Sequence, residues 1–507
     1  MRSFKSRRGS LLIVAMLLSA IIAIFLTSYV QLSLNALNLS NRSFYSNAAM
    51  NLVDTGLEQA MWAINNSNNW TGAGFSTYST GQYRGTFPSS TTSYSLSGGA
   101  AGQVKVWANP TGANPEVVAE AIITLPTGNQ IIKEAEIYMT QSSFFKDGLV
   151  AKNTITFSGN NASVDSWNSS TTDAPTGQTP ITAPVPYISS GVYQNATDSG
   201  KIGSTSVAVD SLSISNANIN GYAAVGGNSS SDLSVGAQGY VGPYGTANGT
   251  INPAYVTYDF TTSFPDASAP TNSSITLSAI SGATSLPRAG DSGVSVTSSG
   301  VTTTTYYYNV STIGLSGNGD ILTIGGSSTS TSKVNVVITL TNPPGATDVA
   351  ITGKGGITIA KNATLAMYAP GNVSIAGNGI TNGTYDPSSA LSSTNTPNQP
   401  SAFQFYGTET AAQATANGDQ TISISGNGVL SGVVYAPNAN ISMNGGGNSG
   451  QVLGAMVGNS VSVNGNSAFH YDTSLASLGS SGLWSLSKWR ELYTSTDRNT
   501  YATQLNF

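Results

Sequence analysis

His470 is the only histidine of the chain and stands in the run His470-Tyr471-Asp472. In an extended segment, residues two apart share a side, so the imidazole and the Asp472 carboxylate could meet as a proton-shuttling dyad. A single histidine excludes a multi-histidine metal site, and a conventional Ser-His-Asp triad anywhere else in the chain. The plainer expectation is that His470 and Asp472 hydrogen-bond a chain corner. A second constellation, Glu116, Glu120, Lys133, Glu134 and Glu136, offers paired carboxylates for acid–base work. The period-two apolar spacing around it predicts instead the solvated face of a small sheet. Asp147, Asp165 and Asp320 could bind calcium at turns, but none sits in an EF-hand or acidic nonapeptide pattern. Glutamate is absent between Glu136 and Glu409, and cysteine is absent altogether. The expectation is a non-enzymatic protein with no catalytic residue, no metal and no cofactor.

Aromatic residues offer binding chemistry instead. Tyr306-Tyr307-Tyr308 and Phe403-Gln404-Phe405-Tyr406 would each turn at least one ring outward on an alternating strand, where rings stack on sugars or dock proteins. Tyr307 and Tyr406 are the candidate binding aromatics; the alternative puts these rings in a core, with one under a loop. Only 8% of residues are charged, against about 25% in ordinary soluble proteins, so Ser, Thr, Asn and Gly must carry solubility. Such a surface suits an extracellular scaffold and adhesion to surface glycans or cells more than turnover. The net charge is −5, and no basic cluster lies beyond the first residues, which argues against nucleic acid as a partner.

These residues need elements to position them. Over residues 70–141, alternating apolar positions bounded by Pro110-Thr111-Gly112 and Pro126-Thr127-Gly128-Asn129 predict a small β-sheet domain. From residue 144 a phrase recurs in which a short alternating strand ends in a Gly-Asn corner. It appears at Ile155-Thr156-Phe157-Ser158-Gly159-Asn160, Ile313-Gly314-Leu315, Val373-Ser374-Ile375, Ile422-Ser423-Ile424 and Val461-Ser462-Val463. Tyr368-Ala369-Pro370 returns as Tyr435-Ala436-Pro437. Strand-and-corner units without helices between them predict stacked coils, each burying its apolar side on the next. The fold class expected is mainly β with one long N-terminal helix: a small sheet followed, over 144–478, by a right-handed parallel β-helix, with a β-sandwich as runner-up. Loop insertions such as Asp173 to Ser274 account for the uneven repeat, and residues 479–507 form a closing segment over the solenoid end.

The first 64 residues carry a different signal. Arg2, Lys5, Arg7 and Arg8 precede an apolar run, and no further charge appears before Arg42. The run is long enough to span a bilayer, with its basic flank in the cytoplasm. Helix-compatible spacing continues through Leu37, Phe44, Ala48, Leu52, Gly56, Ala60 and Ile64. A basic leader ending in Gly, about twenty apolar residues and an amphipathic continuation through Ala48-Ala49-Met50-Asn51-Leu52-Val53-Asp54-Thr55-Gly56-Leu57-Glu58 together resemble the type IV pilin-like proteins, the PilX-type minor pilins in particular. The resemblance implies a leader over 1–9, cleavage by a prepilin peptidase between Gly9 and Ser10, and a helix over 10–64. Leu11, Val14, Leu37, Phe44, Leu52 and Leu57 would serve assembly with other pilin-like subunits. Major pilins carry Glu at the fifth mature position, here Val14, so the resemblance implies a scarce subunit at a filament tip or in a priming complex. The Tyr-Ala-Pro and His-Tyr-Asp phrases are similar to a domain often fused to such anchors, without an attached activity. The expected route runs from the inner membrane to an extracellular filament or the cell surface. Alternatives are a pseudopilus subunit of type II secretion, or an anchored β-helix that binds or cleaves polysaccharide.

Overall fold

The computed structural model describes residues 8–65, 69–89, 91–111, 114–141, 143–159, 162–170, 187, 194–272, 274–326, 331–376, 379–382, 399–426, 429–445, 451–478 and 484–507. The chain is mainly β with one long N-terminal helix, α1 (Arg8–Asn65), and, among the described residues, the shorter α2 (Ala411–Asn417) and α3 (Ser495–Leu505). It divides into two units, one formed by 1–141 with 483–507, the other by 142–482.

In the first unit, β1 (Ser76–Ser79), β2 (Gln82–Phe87), β3 (Tyr94–Ser95), β4 (Ala101–Asn109), β5 (Glu116–Thr124) and β6 (Gln130–Gln141) make an antiparallel sheet. Alternation decides its faces. Val104, Val106, Val117, Ala119, Ala121, Ile123, Ala135, Ile137 and Met139 are buried together with Ala49, Leu52, Val53, Leu57, Ala60, Ala63 and Ile64 of α1. Those helix positions recur at spacings of three and four, so they form one stripe. Gly56 sits in the middle of it, and a Cβ there would lie 2.8 Å from the Cγ2 atoms of Val104 and Val106. The missing side chain is what allows the helix to rest this close to the sheet.

The C-terminal segment departs from expectation. Residues expected to close the solenoid form instead the strand Trp484–Glu491, antiparallel to β6, and the helix α3 (Ser495–Leu505), both in the first unit. The alternation Trp484, Leu486 then Trp489 fits a sheet edge as well as a solenoid cover, which is why sequence alone misassigns it. Asn65 pins the end of α1 to this strand, its Nδ2 donating to the Trp484 carbonyl and its Oδ1 accepting from the Trp484 N–H, at 2.9 and 2.7 Å.

The second unit is built from three stacks of parallel strands. The recurring phrases are rungs of one stack: Ile313–Leu315 pairs with Val349–Ile351, then follow Val373–Ile375, Ile422–Ile424, Ile441–Met443, Val461–Val463 and Ile155–Phe157. The first and third residue of every rung is buried. Gly319, Gly379 and Gly465, which close three of the phrases, have φ of 96°, 69° and 73°, a conformation glycine adopts without strain. Residues 160–161, 377–378 and 427–428, which belong to three of the corners, lie outside the described residues. A neighbouring stack aligns Asn309, Thr339, Tyr368, Tyr406 and Tyr435 as successive rungs. Because these ladders are parallel, the antiparallel sandwich is excluded.

Strand order is not chain order. The strands of 451–472 pair directly with those of 149–167, which in turn pair with Gly200–Ser204, Leu212–Ser213 and Asn218–Val225. A closed ring of six parallel strands results, running through Leu149–Ala151, Gly200–Ser204, Asn218–Val225, Ser163–Trp167, Ala468–Asp472 and Gln451–Gly465. The expected loop insertion from Asp173 to Ser274 is corrected in its middle, because residues 200–257 contribute rungs of their own. Several of those strands have only two or three residues, too few for alternation to stand out. Residues 173–186, 188–193 and 273 of that insertion lie outside the described ones.

Candidate functional site

Two regions concentrate the residues singled out by sequence. The first is α1. Gly9, Ser10 and Leu11 belong to the helix, but their side chains lie outside the described residues. From Leu12 onward the apolar side chains are uncovered: Val14 is 56% exposed, Leu37 56% and Phe44 52%. Leu52 and Leu57 are buried against the sheet. The predicted one-sided packing is thus present from about Tyr45, whose hydroxyl donates to the Ser97 carbonyl at 2.9 Å, and does not include Leu37 or Phe44. This helix is long and apolar enough to cross a membrane, with a mean hydropathy of 2.5 in its most apolar window.

Lengths divide the exposed half further. A helix rises about 1.5 Å per residue and a bilayer core is about 30 Å thick, so Leu12 to Val30 suffices to cross it. Leu32, Leu34, Leu37, Leu39 and Phe44 extend beyond that span, each at least half exposed. At about 100° per residue Leu32 and Leu39 lie on one side of α1 and Leu34, Leu37 and Phe44 on the other, and apolar side chains exposed on both sides of a helix in water call for covering partners.

On its other face the sheet of the first unit is covered rather than solvated, correcting the expectation for the glutamates. Trp107, Val118, Leu492, Tyr501 and Leu505 form a second core there. The Tyr501 hydroxyl donates to Glu116 and to Glu136 Oε2, and Arg490 makes a two-pronged ion pair with Glu136, at 3.2 and 2.8 Å. Glu134 is 2% exposed, its Oε1 has no partner among the described residues, and Glu120 stands opposite it in the ladder. Burial, reinforced by the Glu120 charge and opposed by Arg498, pushes Glu134 up to about 8. Glu120 is raised as well, mainly by burial. The face had no apolar cover in sequence order, because α3 arrives from the far end of the chain.

The second region is the His-Tyr-Asp phrase. His470 does not pair with Asp472. Its Nδ1 lies 2.5 Å from Asp165 Oδ1, on the directly opposite rung. Asp165 Oδ2 accepts from the hydroxyls of Tyr187 at 2.6 Å and Tyr244 at 3.2 Å, and the Tyr187 ring stacks on His470 at 3.8 Å. Burial and the Asp165 charge hold both tyrosines well above the ordinary phenol range. His470 Nε2 is buried, and among the described residues no hydroxyl reaches it. Asp472 accepts instead from the N–H and hydroxyl of Ser169, at 3.0 and 2.7 Å, and from the Ser474 N–H. The Tyr471 hydroxyl donates to the carbonyls of Phe145 and Lys146, at 3.0 and 2.7 Å. All three residues of the phrase clasp the segment 145–169. The calcium candidates Asp165, Asp320 and Asp147 are engaged by the protein itself: beside the partners of Asp165, Asp320 Oδ2 accepts the N–H of Gly317 and Asp147 lies 3.7 Å from Lys201 Nζ. Among the described residues no three His, Asp or Glu side chains are gathered as metal ligands.

The candidate aromatics are held in the outer face of one stack. Tyr307 is half-buried beside the fully buried Tyr308. Tyr406 is half-buried too, stacked on Tyr368 at 4.8 Å with its hydroxyl donating to Gln404 Oε1. Phe403 and Phe405 face the core.

A family model described as a domain of unknown function, DUF7305, matches residues 288–478. No curated protein and no solved structure matches the chain. The matched stretch ends just after the clasp residues, while Asp165, Ser169 and the carbonyls they answer lie outside it.

Proposed function

We propose that the chain is a minor pilin-like subunit, processed between Gly9 and Ser10, whose helix enters a type IV pilus or related filament. It displays a large extracellular β-region for assembly priming or adhesion. The observation that carries this reading is the set of exposed apolar side chains Leu32, Leu34, Leu37, Leu39 and Phe44 on both sides of α1, which a membrane anchor alone has no use for and neighbouring subunit helices on more than one side would cover. The three parallel stacks support a right-handed parallel β-helix as the displayed domain, with Tyr307 and Tyr406 on its outer face. The expected activity is binding and not catalysis, since His470 and Asp472 are engaged in holding the coils together.

The test is the N-terminal sequence of the native protein from membranes and from sheared cell-surface material, together with the double variant Leu37→Asn, Leu39→Asn. A start at Ser10 in the sheared fraction, and a variant that stays in the membrane, is the expected result. A start at Met1 confined to membranes overturns processing, and a variant that is sheared off as readily as the wild type overturns the role given to Leu32–Phe44.

A further inference from the structure

Lys152 follows the strand Leu149–Ala151, and Asn438 lies on the corner after Tyr435-Ala436-Pro437. They are 286 residues apart in sequence and meet at the splice between late and early coils, with Lys152 Nζ 2.7 Å from Asn438 Oδ1. The splice fixes the lysine backbone as well, its N–H donating to the Gly458 carbonyl at 3.0 Å. Asn438 is only 6% exposed. Its Nδ2 donates to Asp266 Oδ1 at 2.7 Å and to the Glu409 carbonyl at 2.8 Å. Both neighbours are acceptors, so the amide nitrogen must face them and the carbonyl must face the amine. The Phe264 ring stands 5.8 Å from Nζ as an apolar wall. Burial draws the Lys152 amine down from its ordinary pKa, opposed by the charges of Asp266 and Asp419, which enlarges the fraction present as a nucleophile.

A partly dehydrated amine, a carboxamide held against it, and a carboxylate on the nitrogen that would leave are the parts of a transamidation. We propose that Lys152 and Asn438 join in an intramolecular isopeptide bond. The ammonium of Lys152 gives one proton to the Asp266 carboxylate, and Nζ adds to Asn438 Cγ. The C–Nδ2 bond then breaks, Nδ2 taking the proton from Asp266 and leaving as ammonia. Nζ returns a second proton to Asp266 and keeps the third as the new amide N–H. Asp266 is exposed, so this proton passes to the departing ammonia through water. The step needs neither oxidant nor cofactor; proximity supplies what a separate catalyst would. Its product ties the first coil covalently to the region matched by DUF7305, across a junction otherwise held by hydrogen bonds and packing.

The test uses full-length protein extracted in detergent, digested and read by tandem mass spectrometry. The expected product is a branched peptide containing Lys152 and Asn438, about 17 Da lighter than its two arms through loss of ammonia. On a denaturing gel the cross-linked chain should run ahead of Lys152→Arg. Asp266→Asn, which keeps a side chain of the same size on the amide, should yield mainly linear peptides. Wild-type protein that gives only linear peptides bearing unmodified Lys152 and Asn438, and co-migrates with Lys152→Arg, overturns the bond. A full yield of branched peptide from Asp266→Asn overturns the proton transfer assigned to Asp266.

Discussion

Replacing Glu134 by Gln should remove most of the pH dependence of the helix-and-sheet unit between about pH 5 and 8. Glu134 is 2% exposed and is raised from 4.5 to about 8, by burial first and by the Glu120 charge second. Below pH 4.5 both folded and unfolded chains hold its proton, and the site contributes its full stability. Between 4.5 and about 8 the folded chain alone holds it, so stability falls as pH rises, by about 1.4 kcal/mol per pH unit for a single proton. At pH 7 the loss amounts to about 3 kcal/mol, a sizeable part of the 5–15 kcal/mol typical of a domain. The assay is hydrogen exchange on peptides covering β5 and β6, corrected for intrinsic rates, with and without denaturant at pH 5, 7 and 8. Wild type should lose protection steadily across that range while Glu134→Gln loses clearly less, keeping only the part of the slope that the raised Glu120 contributes. Parallel pH profiles for the two proteins would refute the claim that a buried, protonated Glu134 underlies the dependence.

Gly56→Val places methyls where Val104 and Val106 already stand 2.8 Å from the position of a Cβ. Overpacking of this kind costs about 1–3 kcal/mol, and exchange protection should drop over residues 49–64 while the parallel strands of 142–482 keep theirs. Asp472→Asn removes the charge from hydrogen bonds to Ser169 and Ser474 at 2.7–3.1 Å. A loss of about 1–3 kcal/mol is expected, seen as faster proteolysis around residues 143–170, and an unchanged cleavage rate would contradict the clasp.

The repeating part of the fold was legible because its signal is local. Val373-Ser374-Ile375 and Ile422-Ser423-Ile424 alternate, and both rungs bury the first and third residue as the spacing requires. The amphipathic half of α1 was readable for the same reason, although the stripe begins near Tyr45 and leaves Leu37 uncovered. What local pattern cannot carry is which rung meets which across hundreds of residues. Asp165 and His470 are 305 positions apart, and no spacing rule joins them, so the dyad was sought between His470 and Asp472. The solvated face that local spacing predicts for the glutamates fails on similar grounds, since α3, which covers them, comes from the other end of the chain. Lys152 and Asn438 look like ordinary surface residues in sequence, and only the parallel pairing of early and late strands brings them together.

The same non-local closure makes a stringent prediction about the first unit. Gln141 and Trp484 are directly paired partners at one end of the antiparallel ladder between β6 and the returning strand. A segment of the chain that leaves a sheet at one residue and re-enters it at the partner of that residue has the geometry of a hairpin loop, however long it is. Replacing residues 142–483 by Asn-Gly, which favours a two-residue hairpin turn, should therefore preserve the sheet, the ion pair of Arg490 with Glu136 and the cover provided by α3. Closure entropy favours the shorter loop, because each doubling of length costs about 0.6 kcal/mol and the natural connection is several doublings longer. The shortened protein, kept in detergent with α1 intact, should show exchange protection in β4, β5, β6 and the strand Trp484–Glu491 at least equal to that of the full chain. Loss of protection in Trp484–Glu491 alone would mean that the returning strand depends on the second unit for its place, and the hairpin argument would fail. Protection throughout would make the β-rich unit a dispensable insertion in a helix-and-sheet scaffold, the arrangement expected when assembly and display are separate tasks of one chain.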